Sequence, residues 1–216
     1  MVQINNNFTR TNYEQGNNRQ IKYIVIHYTA NDGDTAWGNT NYFKSTYRGA
    51  SAHYFVDETS IWRCVGDYDI AWHCGAKTYK HSYCRNENSI GIELCSRRNN
   101  NGYYFKEETV KNAIDLVKYL MEKHNIPEEN VIRHYDVTGK VCPAPFVNST
   151  SAWNKFKEDL KPEKIVLVSA NDITWELNHS FFPISDTRKF VEALEEAKQE
   201  NSSLYWGYYK LVNRIK

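Results

Sequence analysis

The sequence has no long apolar run, no excess of charge of either sign and no even set of cysteines. None of its apolar runs approaches the roughly 20 residues that a helix needs to cross a bilayer, so we predict no membrane insertion. The 216 residues carry 27 basic and 26 acidic side chains. This balance gives no support to a nucleic-acid partner, which requires a basic surface. The N-terminus lacks a charged segment followed by an apolar one, so we expect no secretory signal peptide.

The cysteine count argues against a complete disulfide framework, because five is an odd number. Four of the cysteines form no tight C-x-x-C pair, and we expect them to be reduced and partly buried: Cys64, Cys74, Cys84 and Cys95. The fifth, Cys142, lies eight residues after His134 across a loop that contains Gly139. That loop lets the chain fold back and direct both side chains at one ion.

A third metal ligand is available far upstream, where His27 ends a short apolar run. Two imidazoles and one thiolate can hold Zn²⁺ with three protein ligands and leave the fourth tetrahedral position open. An open position is typical of catalytic zinc, so His27, His134 and Cys142 predict a zinc hydrolase. The alternative from the same residues is a nucleophilic Cys–His pair. It would leave His27 without a role and place Pro143 directly after the nucleophile.

Hydrolysis of an amide also needs a proton-transfer group and a group that stabilises the oxyanion. Lys140 is a candidate for the second role, because a cation there would meet negative charge on a polarised carbonyl oxygen. Glu93 is a candidate base. It lies in an apolar segment and faces either solvent or a functional cleft, since an unpaired buried carboxylate is costly. For both residues the competing interpretation is ordinary solvent exposure.

The hydrophobic pattern predicts a mixed fold. Strands are predicted at 23–27, 52–56, 60–65, 89–94 and 131–134, and helices at 36–47, 106–124 and 151–160. Thr35 is a predicted N-cap for the first helix, and residues 57–59 are a predicted hairpin turn. Because strands outnumber helices and alternate with them, the expected class is α/β with α+β character: a mixed central β-sheet flanked by helices.

Five segments, in order, resemble the type-2 N-acetylmuramoyl-L-alanine amidases, a zinc-dependent family of phage endolysins and autolysins that is related to the peptidoglycan recognition proteins. The matching segments are 24–27, 51–56, 71–75, 88–94 and 134–143. The resemblance implies cleavage of the amide between N-acetylmuramic acid and L-alanine, with Zn²⁺ on His27, His134 and Cys142. It also implies that bacterial peptidoglycan is the partner; no oligomeric state is implied.

The resemblance also assigns roles to other residues. Glu93 matches the carboxylate that activates water, and Lys140 matches the transition-state cation. Ala52 stands where some members carry a catalytic tyrosine, so the chain resembles the glutamate-using branch. His53 and His73 are expected to bind substrate along the cleft or to support the metal ligands from behind, with a structural role as the alternative.

The segment 161–164 resembles a linker between two domains. We expect an amidase domain at 1–161 and a small C-terminal β-α-β domain at 162–216, with strands at 165–168 and 204–212 and a helix at 186–200. Aromatic residues between Trp175 and Tyr209 are candidates for cell-wall targeting. The competing interpretations are a hydrophobic core and an oligomerisation surface.

Three functional settings follow from these expectations. The favoured one is a phage or prophage endolysin, made in the cytoplasm without a signal peptide and acting on the cell wall after release. A bacterial autolysin that is exported by another route is a related alternative. The second is a non-catalytic peptidoglycan-binding receptor of the same fold, which would lose a zinc ligand. The third is a cytosolic amidase that recycles anhydro-muropeptides.

Overall fold

The computed structural model describes residues 3–161, 167–168 and 174–175. Within 3–161 the strands are β1 (Asn5–Asn6), β2 (Tyr23–Tyr28), β3 (Tyr54–Val56), β4 (Ile61–Arg63), β5 (Ser89–Leu94), β6 (Arg97–Asn99), β7 (Gly102–Tyr104) and β8 (Val131–Arg133). The α-helices are α1 (Ala36–Ser45), α2 (Glu107–His124), α3 (His134–Thr138), α4 (Ala144–Val147) and α5 (Thr150–Leu160). Short 3₁₀ turns at Asn86–Asn88 and Glu128–Asn130 precede β5 and β8.

Six strands form one sheet in the order β1-β4-β3-β5-β2-β8. The hairpin pair β3–β4 is antiparallel and the other neighbouring pairs are parallel. The predicted mixed sheet is therefore confirmed. The longest pairing runs between β2 and β5, from Tyr23 opposite Ser89 to Tyr28 opposite Leu94.

One face of the sheet carries the main hydrophobic core. Ile90, Ile92 and Leu94 lie on this face, as their alternation predicts, and pack with Ile24 and Ile26 of β2. The helices α2 and α5 cover them with side chains that repeat every three or four residues. Each fully buried aliphatic side chain contributes roughly 1.5–3 kcal/mol. This face anchors the strands that carry the candidate site.

The opposite face of the sheet holds two smaller clusters. Ala36 of α1 packs near Phe55, and Thr35 accepts the predicted N-cap hydrogen bond from the backbone N–H of Gly38. Val137 of α3 packs on Val25 in the second cluster. By the period-two alternation of β2 and β5, His27 and Glu93 share this face. Neither cluster includes them.

The structure shortens three predicted elements, to Ala36–Ser45, Tyr54–Val56 and Ile61–Arg63, and it corrects one boundary at the candidate site. The strand predicted at 131–134 ends at Arg133, because His134 is the first residue of α3. The carboxylate of Asp136 accepts hydrogen bonds from the backbone N–H and the guanidinium of Arg133, and this contact closes the first turn of the helix. The short strands β1, β6 and β7 were not predicted, because their polar sequences carry no hydrophobic alternation.

Beyond residue 161 the description is limited. Leu167–Val168 and Thr174–Trp175 pair as antiparallel strands. The helix predicted at 186–200 and the strand predicted at 204–212 lie outside the described residues. The C-terminal domain therefore stays a prediction.

Candidate metal centre

Three adjacent parallel strands bring the candidate residues to one edge of the sheet. His27 of β2 lies directly opposite Glu93 of β5. On the other side of β2, Ile26 pairs with Arg133, and His134 follows at the end of β8. Ligands of open α/β sheets bind outside the carboxyl ends of such strands. Residues far apart in sequence are thereby placed at one site.

A short reversal of the chain brings Cys142 to the same place. The helix α3 ends at Gly139, whose φ of 83° lies in the left-handed region that favours glycine. The chain then folds back, and the backbone N–H of Tyr135 donates to the carbonyl of Cys142 at 2.8 Å. The loop therefore holds the thiol beside His134, as the spacing predicts.

The geometry of His27, His134 and Cys142 fits a tetrahedral zinc site. One ligand atom from each lies within 4.8 Å of the others, and all three residues are buried. The Sγ atom of Cys142 is 3.7 Å from Nδ1 of His27. Two ligands at ordinary Zn–N and Zn–S distances and a tetrahedral angle would be about 3.6 Å apart. The Nδ1 atom of His134 is buried and has no hydrogen-bond partner among the described residues, as expected of an atom kept for a metal.

Burial controls the protonation of these ligands. It lowers the pKa of His27 well below the usual value, with a further contribution from His134. Burial, followed by Lys140 and His73, lowers the pKa of His134 to about 4. Both imidazoles are therefore neutral near pH 7 and have a lone pair to offer. Burial raises the pKa of Cys142 to about 12, and the residue is only 3% exposed, which argues against a nucleophilic Cys–His pair.

Glu93 is held in a different environment from an ordinary surface carboxylate. Its Oε2 atom is buried and has no hydrogen-bond partner within residues 3–161. Burial raises the pKa of Glu93 to about 8, although the positive charge of Lys140 opposes this shift. The structure thus argues against free exposure of this oxygen to solvent.

A cavity of about 680 Å³ opens beside the centre. Its lining comprises Gly49, Ala50, Trp72, His73, Gly75, Ala76, Lys77, Thr78, Asn86, His134, Thr138, Gly139 and Lys140. No carboxylate belongs to this lining, whereas two lysines do. The exposed Lys140 is thus placed at the cavity as expected. Lys77 was missed, because a lysine in a polar loop carries no distinguishing pattern.

Residues 17–145, more than half of the chain, match the N-acetylmuramoyl-L-alanine amidase family. The chain belongs to this family. The resemblance drawn from five short segments is thereby confirmed.

Two curated relatives of this amidase-family chain come from Bacillus licheniformis. A probable N-acetylmuramoyl-L-alanine amidase of Bacillus licheniformis is 35% identical over 184 residues, which cover 79% of this chain and 51% of the relative. The amidase CwlL of the same species is 33% identical over 73% of this chain and 46% of its own length. The chain thus spans about half the length of the curated relatives that it matches.

Solved structures share the fold. PlyL superposes with a TM-score of 0.63 at 28% identity and covers 74% of this chain and 98% of its own. The catalytic domain of XlyA gives a TM-score of 0.62 at 32% identity, with 74% and 100% covered. Among the described residues of this amidase-family chain, no helix is both long and apolar enough to cross a membrane.

The two remaining candidate histidines occupy unequal positions. His73 lines the cavity, and its Nδ1 atom is 3.0 Å from Nε2 of His27. His53 is fully buried and does not belong to the lining. Its Nδ1 atom accepts from the backbone N–H of Gly91, and its Nε2 atom lies 3.1 Å from the carbonyl oxygen of Asp69. The structure therefore brings His73, but not His53, to the surface that a substrate would meet.

Proposed function

We propose that this chain is a zinc-dependent N-acetylmuramoyl-L-alanine amidase that cleaves the bond between N-acetylmuramic acid and L-alanine in bacterial peptidoglycan. One observation carries the proposal: His27, His134 and Cys142 converge at the sheet edge where the Oε2 atom of Glu93 is buried without a partner among the described residues. Family membership and the names of the relatives support the same reaction and bond.

In this proposal His27, His134 and Cys142 hold the zinc ion, for which their donor atoms and spacing are suited. When bound, zinc supplies Lewis acidity that polarises the scissile carbonyl and acidifies a water molecule. The described part of the chain offers no other group of three such ligands, so a single metal centre is proposed.

Glu93 acts as the proton carrier. Its carboxylate accepts a proton from the attacking water and later returns it to the leaving amine nitrogen. A carboxyl group whose pKa burial raises toward neutrality suits both steps, because neither protonation state is strongly disfavoured near pH 7. The absence of a fixed partner within residues 3–161 leaves Oε2 available for this work.

Lys140 is the proposed oxyanion stabiliser. It lies on the cavity wall beside His134, where its ammonium group meets the negative charge that develops on the carbonyl oxygen. Together with Lys77 it makes the cavity cationic. A cationic lining suits a peptidoglycan stem peptide, which carries carboxylates. We place His73 on the cavity wall and give the enclosed His53 a supporting position.

The biological setting that we propose is that of an endolysin acting on the bacterial cell wall. One structural neighbour supports it by name: a mutant endolysin from Bacillus subtilis at 33% identity. We also propose residues 162–216 as a separate unit for wall targeting or oligomerisation. These assignments go beyond the catalytic centre and need their own tests.

Digestion of purified peptidoglycan tests the proposed reaction. Incubation of the full chain with sacculi should release stem peptides with free L-alanine amino groups, identified by mass spectrometry, while the glycan strands stay intact. A chelator should abolish release, and added zinc should restore it. Cleavage at another bond would overturn the proposal. Binding without cleavage would indicate the receptor, and cleavage of soluble fragments alone would indicate the recycling amidase.

A pair of lysine variants tests the oxyanion role. Lys140→Ala should lower kcat by about 10²–10³-fold, the range seen when one oxyanion donor is removed. Lys111→Ala is the matched control, because Lys111 is an exposed lysine on α2, which packs on the opposite face of the sheet. Equal activities of the two variants would remove Lys140 from the mechanism.

A further inference from the structure

A chain of hydrogen bonds runs from the backbone into the metal centre. The Ser89 hydroxyl donates to the carbonyl oxygen of Arg85 at 2.5 Å. The Nε2 atom of His73 lies 3.2 Å from the Ser89 oxygen, and its Nδ1 atom lies 3.0 Å from Nε2 of His27. On the other side of the His27 ring, Nδ1 faces the Cys142 sulfur. The chain therefore ends on a metal-ligand atom.

The direction of each hydrogen bond follows from the backbone carbonyl of Arg85, at which the chain of bonds begins. A carbonyl oxygen can only accept, so the single hydroxyl proton of Ser89 is committed to Arg85. The Ser89 oxygen must then accept from an N–H at Nε2 of His73. A neutral imidazole with its proton on Nε2 has an acceptor at Nδ1. Nε2 of His27 must therefore donate to it, which leaves the lone pair of His27 on Nδ1.

The strand β5 is shaped to receive the His73 ring. A Cβ atom added to Gly91 would lie 2.4 Å from Cγ of His73 and 2.7 Å from its Nδ1 atom. No side chain larger than hydrogen fits there without displacing the ring. The backbone N–H of His73 also donates to the Asn86 side chain at 3.2 Å. The ring is thus held on several sides before any metal binds.

We propose that Ser89 and His73 are positioning residues that fix His27 in the Nε2-protonated tautomer and so direct its Nδ1 lone pair at the metal. This inference rests on the proposed zinc site, but it does not rest on the reaction. Metal-bound histidines commonly donate their second N–H to a fixed acceptor, and loss of that acceptor costs about 10–100-fold in metal affinity or activity. Here the acceptor is another imidazole, itself oriented by a serine.

Two measurements on the 216-residue chain test the proposal without using catalysis. The first is the ¹⁵N NMR spectrum of the histidine rings of metal-free protein at pH 8, where an ordinary imidazole is neutral. His27 should show a protonated Nε2 and an unprotonated Nδ1. The second is the zinc dissociation constant, measured by competition with a chromophoric chelator.

Three variants and a control sharpen these measurements. We expect His73→Ala to raise the zinc dissociation constant about 10–100-fold. Ser89→Ala should raise it less and give mixed His27 tautomers. His73→Asn should recover much of the affinity, since an amide oxygen can accept the same proton. Ser96→Ala is the control, because it removes a buried hydroxyl that donates to a carbonyl at a different place, and it should change neither readout.

A His27 ring protonated at Nδ1, or a Ser89→Ala variant with unchanged tautomer and zinc affinity, would overturn the proposal. The proposal would also be weakened if His73→Asn bound zinc no better than His73→Ala. Loss of side-chain volume, and not loss of a hydrogen bond, would then explain the lower affinity. If His27 and zinc behave as expected but peptidoglycan is not cleaved, the proposed function fails and the positioning role stands.

Discussion

Two partly buried polar clusters in this protein differ in how fully their hydrogen-bonding atoms are satisfied. The Asp67 cluster consists of Tyr54, Arg63, Asp67, Lys123 and His124, and the metal-ligand cluster consists of His27, Glu93, His134 and Cys142. In the first cluster both carboxylate oxygens are engaged: one accepts from the Tyr54 hydroxyl, the other from Lys123 at 2.7 Å and from His124 at 3.0 Å. In the second, Glu93 Oε2 and His134 Nδ1 have no partner among the described residues.

The pKa values of the two carboxylates are therefore shifted in opposite directions. Burial alone would raise the pKa of Asp67, but hydrogen bonds from His124, Lys123 and Tyr54 outweigh it and hold the pKa well below the usual range. Burial without such partners raises the pKa of Glu93 to about 8. Satisfied buried groups are typical of structural clusters, whereas an unsatisfied carboxylate beside candidate metal ligands is typical of a functional site. Burial alone does not distinguish a structural carboxylate from a functional one, whereas the presence or absence of hydrogen-bond partners does.

Removal of a metal ligand should have the largest effect. Cys142→Ser should bind no zinc at stoichiometric concentration and should therefore lose amidase activity. Removal of a ligand should weaken zinc binding by more than the roughly 10–100-fold that is lost with a residue that only hydrogen-bonds to a ligand. Zinc content by atomic absorption and release of L-alanine amino termini measure the two effects. Cys64→Ser, at another buried cysteine, should keep its zinc. Normal zinc content in Cys142→Ser would show that Cys142 is not a metal ligand.

Glu93→Gln should separate activity from stability. We expect kcat to fall by about 10²–10⁴-fold, because the proton carrier is lost. The free energy of unfolding near pH 7 should rise, because the raised pKa of Glu93 means that the folded state disfavours the ionised carboxylate, and a neutral amide carries no such penalty. Turnover assays and urea denaturation, with zinc content measured alongside, check both expectations. Near-normal turnover would place Glu93 outside the mechanism.

Asp67→Ala should give the converse result. Removal of one member of a buried, hydrogen-bonded charge cluster destabilises by about 3–5 kcal/mol, and here it also leaves the buried Tyr54 hydroxyl unpaired. Activity per folded molecule should stay near that of the unmodified chain. Urea denaturation gives the stability, and assays normalised to the folded fraction give the activity. An unaltered denaturation midpoint would show that the cluster is not a structural anchor.

Acid titration should give the smallest of these effects. Because the folded pKa of Asp67 lies below its unfolded value, its stabilisation is present above about pH 4 and is lost as the pH falls toward the folded pKa. Below pH 4, stability should fall more steeply in the unmodified chain than in Asp67→Asn. The difference for one group is limited to about 1.4 kcal/mol per pH unit. Parallel curves would contradict the assigned direction.

Much of the site could be predicted because it depends on residue chemistry. The residues His27, His134 and Cys142 were identified as a ligand set from donor types and spacing, and the structure places them together. The helix α2 and the strand β5 also follow from hydrophobic periodicity. In contrast, no local pattern marked Ser89 as part of the site. Its role depends on contacts with His73 that arise from packing.

Residue types and short periodic patterns were enough to predict the main strands and helices, the donor atoms available to a metal and the family to which the chain belongs. These are properties of single residues and short periodic segments. The folded structure was needed to show that Glu93 lies opposite His27, that His53 is enclosed while His73 reaches the cavity, and that Asp67 is paired. The physical reason is that hydrogen-bond satisfaction depends on strand register and on contacts between residues distant in the chain.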